Sequence, residues 1–447
     1  MIGNLQRAEF AEILHAYLSP TSPIQSQEHL YGRQRQVRQI EQALCAAGRS
    51  IFIYGDRGVG KTSLAQTVAY AHQAAKHDPV LLACTPQTTF GSFIAAVLAD
   101  LREPTRAGGS LTIHAAKVGF KGLGVELGRT RHEDAASEDT VPDLNGAVAA
   151  LLRVGAARNE DTVVVIDEFD RISRDSERTQ FADFIKQIGD RRIPIRFVFC
   201  GVSESMQKLL GAHGSCYRYL EGVELRGLSY DARFEIIDSA AKALGVTVED
   251  RPRFRIAAIS DGFPHYVHLM CEKLFWQMLN DPIVCTKPTI DHYREAVAES
   301  VMGIEQHLKT TYEQAVMKDA PDYEQVLWAV ADHADFIRNT ESIYESYVNL
   351  FGPDQLDRQT VVSRLNTLKG NSCGHILTSM KKGWYQFREN IMRGYVRLRA
   401  EEKGFELALD YSAASTSSTS LAWPIRSARR GRMGTTPRDW ERIKNPS

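Results

Sequence analysis

The feature that most constrains this chain is a short apolar run followed by a glycine-rich loop and then by helix-forming residues. The apolar run covers residues 51–54, and residues 55–62 read GDRGVGKT. This spacing, G-x-x-x-x-G-K-[ST], lets the backbone turn tightly enough to aim N–H groups at phosphate oxygens, and the helix that follows adds a positive dipole. The sequence therefore predicts a P-loop that binds a nucleoside triphosphate. A glycine turn with an incidental lysine is the alternative.

The residues of this loop have distinct predicted roles. The Lys61 ammonium is expected to reach the β- and γ-phosphates, and the Thr62 hydroxyl is expected to be a ligand of Mg²⁺. The other residues are expected to contact the nucleotide as part of the loop. The predicted nucleotide contacts here are Gly55, Asp56, Arg57, Gly58, Val59, Gly60, Lys61, Thr62 and Ser63.

A second motif supplies acidic residues further along the chain. Residues 162–166 form a β-branched apolar run, and Asp167 and Glu168 follow it. Open α/β sheets bind their ligands at the carboxyl ends of the strands, so we expect this acidic pair beside the P-loop. Asp167 is predicted to hold Mg²⁺, directly or through water, and Glu168 to polarise the attacking water. An acidic strand-to-helix turn is the alternative. The chain has no N-K-x-D motif of guanine recognition, so ATP is favoured over GTP.

Length and composition set the broader class. The 447 residues are enough for two or three domains, and a content of 43% hydrophobic and 24% charged residues is typical of a soluble globular protein. No apolar run approaches the roughly 20 residues of a membrane helix, and the N-terminus lacks the apolar core of a signal peptide. The seven cysteines show no C-x-x-C pairing, which favours a reducing compartment. We expect a cytoplasmic protein that does not associate with membranes.

The segment before the P-loop carries the first resemblance to a known family. Leu30-Tyr31-Gly32-Arg33, followed by a helical run, resembles the N-terminal box of the AAA+ P-loop ATPases, especially the replication-initiator (origin-recognition)-like and STAND-related bacterial and archaeal groups. In that family the segment lies over the adenine and ribose, so Tyr31, Gly32 and Arg33 become candidate ATP contacts. A plain turn before a helix is the alternative. The pair of acidic residues at positions 167 and 168 resembles the acidic pair that follows a strand in AAA+ proteins that hydrolyse ATP.

The resemblance implies three further site residues. Ser203 follows the apolar run 195–200, where the family has a polar residue that senses the γ-phosphate; a helix cap is the alternative. Arg218 precedes the last strand of the core, where the family places an arginine that reaches into the neighbouring subunit's site; a surface salt bridge is the alternative. His265 follows the turn 262–264, which resembles the start of a lid helix whose basic residue contacts the γ-phosphate. The predicted catalytic residues are Lys61, Glu168, Ser203 and Arg218, and the predicted metal ligands are Thr62 and Asp167.

The C-terminal part has the pattern of a separate module. Three predicted helices between residues 322 and 369 precede two alternating segments, HILTS and WYQFR. This is the element order of a winged helix-turn-helix. The initiator-like AAA+ ATPases carry such a domain after the lid, and the pattern Y-x-F-x-[DE]-x-hydrophobic-M-R-x-Y that often ends it is present at residues 385–395.

Charge is segregated along this module. Residues 358–400 contain nine Lys and Arg against one acid, whereas residues 311–357 contain ten acids against two basic residues. This pattern predicts a positive recognition helix and wing where DNA phosphates would lie. The alternatives are that the acidic and basic segments pair internally, or that the module binds protein partners. The candidate DNA contacts are Arg358, Arg364, Lys369, Lys381, Lys382 and Arg388.

We therefore predict an α/β protein: an AAA+ parallel-sheet core with a helical lid, followed by a winged helix-turn-helix domain. The predicted divisions are an N-terminal helix and linker (1–27), the core (28–228) with an inserted hairpin at about 108–131, the lid (229–310), the winged helix (320–405) and a disordered basic tail (411–447).

The predicted function is an ATP- and Mg²⁺-dependent switch that assembles as a homo-oligomer through nucleotide-bridged interfaces and acts on DNA. One alternative is a signalling or antiviral-defence NTPase of the STAND type, whose winged helix binds protein partners or a separate effector protein. Another is a nucleotide-gated scaffold that hydrolyses ATP slowly.

Overall fold

The structure is a computed structural model that describes residues 2, 5–20, 23–24, 26–73, 77–102, 143–158, 161–212, 214–316 and 321–407. The hairpin predicted at about 108–131 and the tail predicted at 411–447 lie outside these residues. The chain divides into two compact units, one formed by Ser22–Arg226 and the other by Met1–Thr21 together with Gly227–Ser447.

The first described helix, α1 (Arg7–Tyr17), belongs to the second unit, where Phe10 packs edge-on against Trp276. The unit Ser22–Arg226 contains a five-stranded parallel sheet in the order β2-β3-β4-β1-β5. Its elements are α2 (Gln34–Leu44), β1 (Ser50–Gly55), α3 (Lys61–His72), β2 (Val80–Ala83), α4 (Phe90–Arg102), α5 (Leu144–Arg158), β3 (Thr162–Asp167), α6 (Asp175–Asp190), β4 (Ile195–Gly201), α7 (Ser203–Ala212) and β5 (Leu220–Leu225). The predicted parallel sheet and P-loop core are confirmed.

The strand sequences explain this arrangement. In β1, β3 and β4 nearly every residue is buried, and their runs of Val, Ile and Phe do not alternate with polar residues. Such continuous apolar strands are typical of parallel sheets that are covered on both faces. Because β4 lies between β3 and β1, the carboxyl ends of these three strands meet at one edge of the sheet.

The register fixes which residues share an edge. Tyr54 in β1 pairs with Gly201 in β4, and Ser50 at the start of β1 pairs with Leu220 at the start of β5. The P-loop and the residues after β3 and β4 therefore lie at the carboxyl edge. The residues that precede β5 lie at the opposite edge.

The second unit is mainly helical. It also contains a small antiparallel sheet in the order β6-β8-β7. Its further elements are α8 (Tyr230–Ala243), α9 (Asp250–Ser260), α10 (Pro264–Asn280), α11 (Ile290–Gly303), α12 (Gln306–Val316), α13 (Asp322–Ala331), β6 (Arg338–Asn339), α14 (Thr340–Phe351), α15 (Arg358–Leu368), β7 (Leu377–Thr378), β8 (Trp384–Phe387) and α16 (Ile391–Glu402).

The predicted order of three helices followed by a strand pair is present as α13, α14, α15, β7 and β8. Assignment of these elements to the winged-helix class stays a prediction. Within the described part of the chain, no helix is long and apolar enough to cross a membrane.

Two buried ion-pair groups hold α16 in this unit. Asp261, just after α9, accepts hydrogen bonds from Arg393 at 2.5 and 2.6 Å and from Arg397 at 2.8 Å. Glu401 pairs with Arg255 of α9 at 2.5 Å. All of these side chains are almost completely buried, so the end of the chain's last described helix is fixed by charge as well as by apolar contact.

Candidate nucleotide-binding site

The loop between β1 and α3 has the conformation that its glycines permit. Gly58 and Gly60 have φ of 83° and 94°, in the left-handed region that favours glycine. Gly55 is required for a different reason, because a Cβ there would lie 2.0 Å from the carbonyl oxygen of Leu225. The start of the loop therefore passes the end of β5 too closely for any other residue.

Lys61 is the first residue of α3, and its ammonium folds back over the loop. Nζ donates to the carbonyl oxygens of Gly55 at 3.1 Å and Asp56 at 2.8 Å. Burial lowers the pKa of Lys61, an effect partly opposed by nearby acidic groups. Lys61 forms no ion pair with a carboxylate among the described residues. A partly buried cation of this kind fits an anionic ligand such as a triphosphate.

Thr62 and Asp167 meet although they are far apart in sequence. The Thr62 hydroxyl donates to Asp167 Oδ2 at 2.5 Å, and the Glu168 N–H donates to Asp167 Oδ1 at 2.8 Å. Burial raises the pKa of Asp167, and these two hydrogen bonds oppose that rise. A hydroxyl and a carboxylate in contact are the hard oxygen ligands that Mg²⁺ prefers. The residues present therefore fit the ion, and Thr62 and Asp167 would hold it.

Glu168 occupies an unusual backbone conformation. Its φ is 52°, which is rare for a residue other than glycine and is found more often at functional sites. The side chain is partly exposed and accepts a hydrogen bond from Arg171 Nη1 at 2.8 Å. This partner was not predicted from the sequence, although the spacing of three residues between Glu168 and Arg171 could have indicated it.

Phe169 anchors the turn that carries Glu168. Its ring is buried and packs edge-on against Phe52, Phe181 and Phe199, with centroid distances of 5.7, 5.2 and 5.5 Å. Such edge-to-face pairs stabilise beyond the area that they bury. The aromatic core therefore fixes the residue next to Glu168. The signal for this packing in the sequence is the aromatic residue directly after the acidic pair.

Ser203 lies at the same edge of the sheet as the P-loop. It is the exposed first residue of α7, and it comes two residues after the end of β4, which pairs with both β1 and β3. Its roles as a γ-phosphate sensor and as a helix cap both stay predictions.

The segment before α2 is used mainly to support the loop. The Arg33 guanidinium is buried, and its Nη2 donates to the carbonyl oxygen of Val59 at 2.8 Å. Burial lowers the pKa of Arg33 to about 10. Gly32 has a φ of 66°, and the Tyr31 hydroxyl lies 3.3 Å from His29 Nδ1. Arg33, one of the three predicted ATP contacts in this segment, thus binds the backbone of the P-loop.

Ser63, another predicted nucleotide contact, also has a partner within the chain. Its hydroxyl accepts a hydrogen bond from the Ile24 N–H at 3.2 Å, and the Thr67 hydroxyl donates to the Ile24 carbonyl at 2.7 Å. These bonds tie the segment before α2 to α3.

Arg218 is not brought to the P-loop of its own chain. It is exposed and precedes β5, at the edge of the sheet opposite to the P-loop. The six residues of β5 separate the two edges by about 16 Å at roughly 3.3 Å per residue. His265 belongs to the other unit, where its ring Nδ1 lies 2.9 Å from the carbonyl oxygen of Pro20.

A possible metal cluster in the second unit has another explanation. Ligand atoms of Asp281, Cys285 and His292 lie within 4.8 Å of one another. However, His292 Nε2 bonds to Asp281 at 2.7 Å and His292 Nδ1 accepts the Thr289 N–H at 3.1 Å, as part of the cap of α11. Both ring nitrogens are therefore used by the fold.

The basic residues of the C-terminal part are only partly available to a partner. Arg358 pairs with Glu341 at 3.0 Å, and Arg364 pairs with Asp322 at 3.0 Å. Arg393 and Arg397 are buried on Asp261, so the nine basic residues counted from the sequence do not all face solvent. Four candidate DNA contacts form no ion pair within the described ranges: Lys369, Lys381, Lys382 and Arg388.

Comparison with known proteins identifies the domain. Residues 29–198 match the family model of the AAA ATPase domain, so the chain contains such a domain. No curated protein matches the sequence. Solved structures with a similar fold include a Walker-type ATPase of Pyrococcus abyssi, at 14% identity and a TM-score of 0.48, with 84% of this chain and 99% of the other covered. The ORC2 protein of Aeropyrum pernix is similar at 12% identity and a TM-score of 0.46, with 87% of this chain and 98% of the other covered. Cdc6p of Pyrobaculum aerophilum is similar at 15% identity and a TM-score of 0.43, with 88% of this chain and 98% of the other covered.

Proposed function

We propose that the AAA ATPase domain of this chain binds ATP with Mg²⁺ and hydrolyses it, and that this reaction controls how the protein assembles and acts on DNA. The observation that carries the proposal is the contact between Thr62 and Asp167 at 2.5 Å, directly beside Lys61 and Glu168. Two distant segments thus meet at this contact, and the four side chains that they carry are suited to complementary roles in phosphoryl transfer.

Each side chain has one task. The P-loop backbone and the Lys61 ammonium bind and orient the phosphates. Bound Mg²⁺, held by Thr62 and Asp167, would neutralise charge on the phosphate oxygens. Glu168 orients the attacking water and accepts its proton, which requires its carboxylate to leave Arg171. Ser203, at the same edge of the sheet, is suited to hydrogen bonding near the γ-phosphate.

The hydrolysis site needs a further cation, and we assign it to Arg218 of a second copy. Arg218 is exposed at the far edge of its own sheet, so it is positioned to act on another subunit and not on its own nucleotide. An arginine supplied in this way typically accelerates hydrolysis by a factor of about 10³–10⁵. Homo-oligomer formation is therefore part of the proposed mechanism.

The experiment that tests the ATPase proposal compares ATP binding and turnover in three variants and the wild type. Glu168→Gln should bind ATP normally and lose turnover, and Lys61→Ala should lose ATP binding. Glu235→Gln, an exposed acid in the other unit, is the matched control and should behave as the wild type. Normal turnover by Glu168→Gln, or retained ATP affinity in Lys61→Ala, would sink the proposal.

DNA is the partner that we propose for the C-terminal part. The support is the group of basic residues that have no carboxylate partner among the described residues, of which Lys381 and Lys382 are exposed between β7 and β8. The Lys381 ammonium lies 4.2 Å from the centroid of the Trp384 ring. Turnover that rises with duplex DNA at low salt favours this partner, because phosphate contacts are strongest there.

A signalling or defence NTPase with a protein partner is the second candidate. The observation in its favour is that Arg358 and Arg364 bind acids of the preceding segment, which reduces the positive surface. ATP hydrolysis whose rate does not change when duplex DNA is added at low salt would favour this candidate.

A further inference from the structure

A cavity lies at the edge of the sheet opposite to the P-loop. Its volume is about 290 Å³, and its walls come from the segment before β1, the end of α6 and the turn before β5. Three of its lining residues are arginines, namely Arg49, Arg192 and Arg218. Asp190 and Tyr219 complete its polar lining. Of these three arginines, only Arg218 takes part in the proposed function.

Two glycines shape the floor of this cavity. A Cβ at Gly48 would lie 2.6 Å from the carbonyl oxygen of Gly189, and a Cβ at Gly189 would lie 2.3 Å from the Tyr219 ring. The segment before β1, α6 and the turn before β5 can approach this closely only because both residues lack side chains. The cavity is therefore defined by close backbone packing and not by loose surface side chains.

The charge of the lining is strongly positive. Arg192 and Arg218 form no ion pair among the residues that the structure describes, and Arg49 lies 3.5 Å from Glu221 in a half-exposed, weak pair. The carboxylate of Asp190 accepts a short hydrogen bond from the Tyr219 hydroxyl. Three arginines in the lining of one cavity suit a ligand with several anionic oxygens, such as a polyphosphate.

The backbone at Arg192 gives independent support. The N–H of Ile193 bonds to the carbonyl of Ile188, and the N–H of Arg192 bonds to the carbonyl of Gly189. This pair of bonds is a Schellman motif, in which the residue at the position of Arg192 is usually glycine. Arg192 has a φ of 47°, so it bears the strain that glycine would avoid. The helix end alone does not explain an arginine here, and strained residues concentrate at functional sites.

The ligand cannot be the nucleotide on the same P-loop, because the length of β5 separates the two edges of the sheet. The P-loop, in turn, has Lys61 as its partly buried cation, and the proposed hydrolysis mechanism calls for a further one. Tyr217, beside Arg218, has 67% of its surface exposed, which is typical of an aromatic residue at a protein interface.

We propose that this cavity receives the terminal phosphates of ATP bound to a second copy of the chain, and that Arg192 contacts those phosphates together with Arg218. This inference rests on the proposed ATPase function and extends it to a second arginine. Arg49 lines the same cavity and adds to its positive potential.

The test uses Arg192→Gly in the full chain, with Arg191→Ala as the matched control. Arg191 is an exposed arginine next in sequence that does not line the cavity. Because glycine suits the backbone at position 192, Arg192→Gly should melt at the wild-type temperature or above it. It should bind ATP normally, while turnover at saturating ATP falls roughly a hundredfold, the scale for loss of one preorganised donor. Arg191→Ala should match the wild type.

Mixing shows whether Arg192 acts between subunits. Arg192→Gly retains its own P-loop and Glu168, whereas Glu168→Gln retains its own cavity. A mixture should recover turnover that neither protein has alone. Unchanged turnover in Arg192→Gly, or no recovery on mixing, overturns the inference.

Two further measurements separate this inference from the proposed function. ATP-dependent assembly, followed by sedimentation in a Glu168→Gln background, does not need hydrolysis, and Arg192→Gly should shift it to higher protein concentration. Assembly that ignores Arg192 contradicts the inference even if the wild type proves inactive. ATP binding by Lys61→Ala that depends on Arg192 would instead indicate a site for free nucleotide, and would also overturn it.

Discussion

At the scale of single residues, the ion pair between Glu168 and Arg171 bears directly on the rate of hydrolysis. The two side chains are 2.8 Å apart and both are partly exposed. We expect Arg171→Ala to raise basal turnover, because Glu168 no longer has to leave a partner before it orients water. The rise should be no more than about fivefold, since exposed ion pairs are weak.

The check on Arg171 is steady-state turnover at saturating ATP. Arg174→Ala is the control, because Arg174 pairs at 4.0 Å with Glu177 and not with Glu168. A large loss of turnover in Arg171→Ala would mean that the arginine holds Glu168 in its working position instead.

Asp167 is the residue at which removal of Mg²⁺ should be visible in stability. Its folded-state pKa is raised by burial, so the charged carboxylate is unfavourable in the ligand-free protein above that pKa. We expect Asp167→Asn to melt at the same temperature as the wild type or higher without ligands. The variant should also lose the additional stabilisation that Mg²⁺ adds to ATP.

Thermal melts with ATP, with and without Mg²⁺, measure this effect. Asp170→Asn, an exposed acid in the same turn, is the control and should keep the Mg²⁺-dependent shift. A normal shift in Asp167→Asn would remove Asp167 from the metal site.

At this scale the residues that belong to a motif could be predicted from the sequence. Lys61, Thr62 and Asp167 could be predicted because fixed spacing and the rule for strand ends bring them together. The contact between Arg33 and Val59 could not be predicted, because it depends on how a buried side chain crosses from another element. The same holds for the strain at Arg192, which exists only in the folded helix end.

At the scale of elements, the two arginines of α16 bound to Asp261 should make a large contribution to stability. Arg393 and Arg397 are both buried, and both also donate to backbone carbonyls of residues 331–335. Asp261→Asn should lower the free energy of unfolding by about 3–5 kcal/mol, because it leaves buried cations without their carboxylate. Asparagine tolerates the left-handed backbone of this position, so the charge is the main change.

Urea unfolding of the full chain measures this difference. Asp335→Asn is the matched control, since Arg393 contacts the backbone carbonyl of Asp335 and the carboxylate is exposed. A loss below 1 kcal/mol in Asp261→Asn would show that the carbonyl contacts alone hold α16.

The strands could be predicted at this scale, whereas the pairing of charges could not. Continuous runs of Val, Ile and Phe indicated the buried parallel strands. A strand that is covered on both faces has apolar residues at successive positions, and this pattern is visible in the sequence. The basic segment 358–400 gave no signal that Arg393 and Arg397 point inward. A charge count treats every arginine as exposed, and only tertiary packing separates the buried from the free ones.

At the scale of the whole molecule, the sequence predicted the P-loop core and left the partner open. The core could be predicted because nucleotide chemistry restricts both residue types and spacing. A DNA-binding surface is restricted mainly by net positive charge, which internal ion pairs such as Arg364 with Asp322 reduce. The choice between DNA and a protein partner therefore depends on the basic residues that have no carboxylate partner.

The basic residues without a carboxylate partner give the prediction for the complete protein. Lys381 and Lys382 are exposed next to Met380, which is 74% exposed at the turn between β7 and β8. If both lysines neutralise DNA phosphates, Lys381→Gln with Lys382→Gln should reduce the slope of log affinity against log salt by about 1.8, at roughly 0.9 per contact. Fluorescence anisotropy of a labelled duplex across a salt series measures that slope. Arg358→Gln is the control, because Arg358 is already paired with Glu341 and should change the slope less. Equal slopes for all three proteins would exclude this turn from the DNA contact, and the basic residues elsewhere in the module would then have to account for any binding.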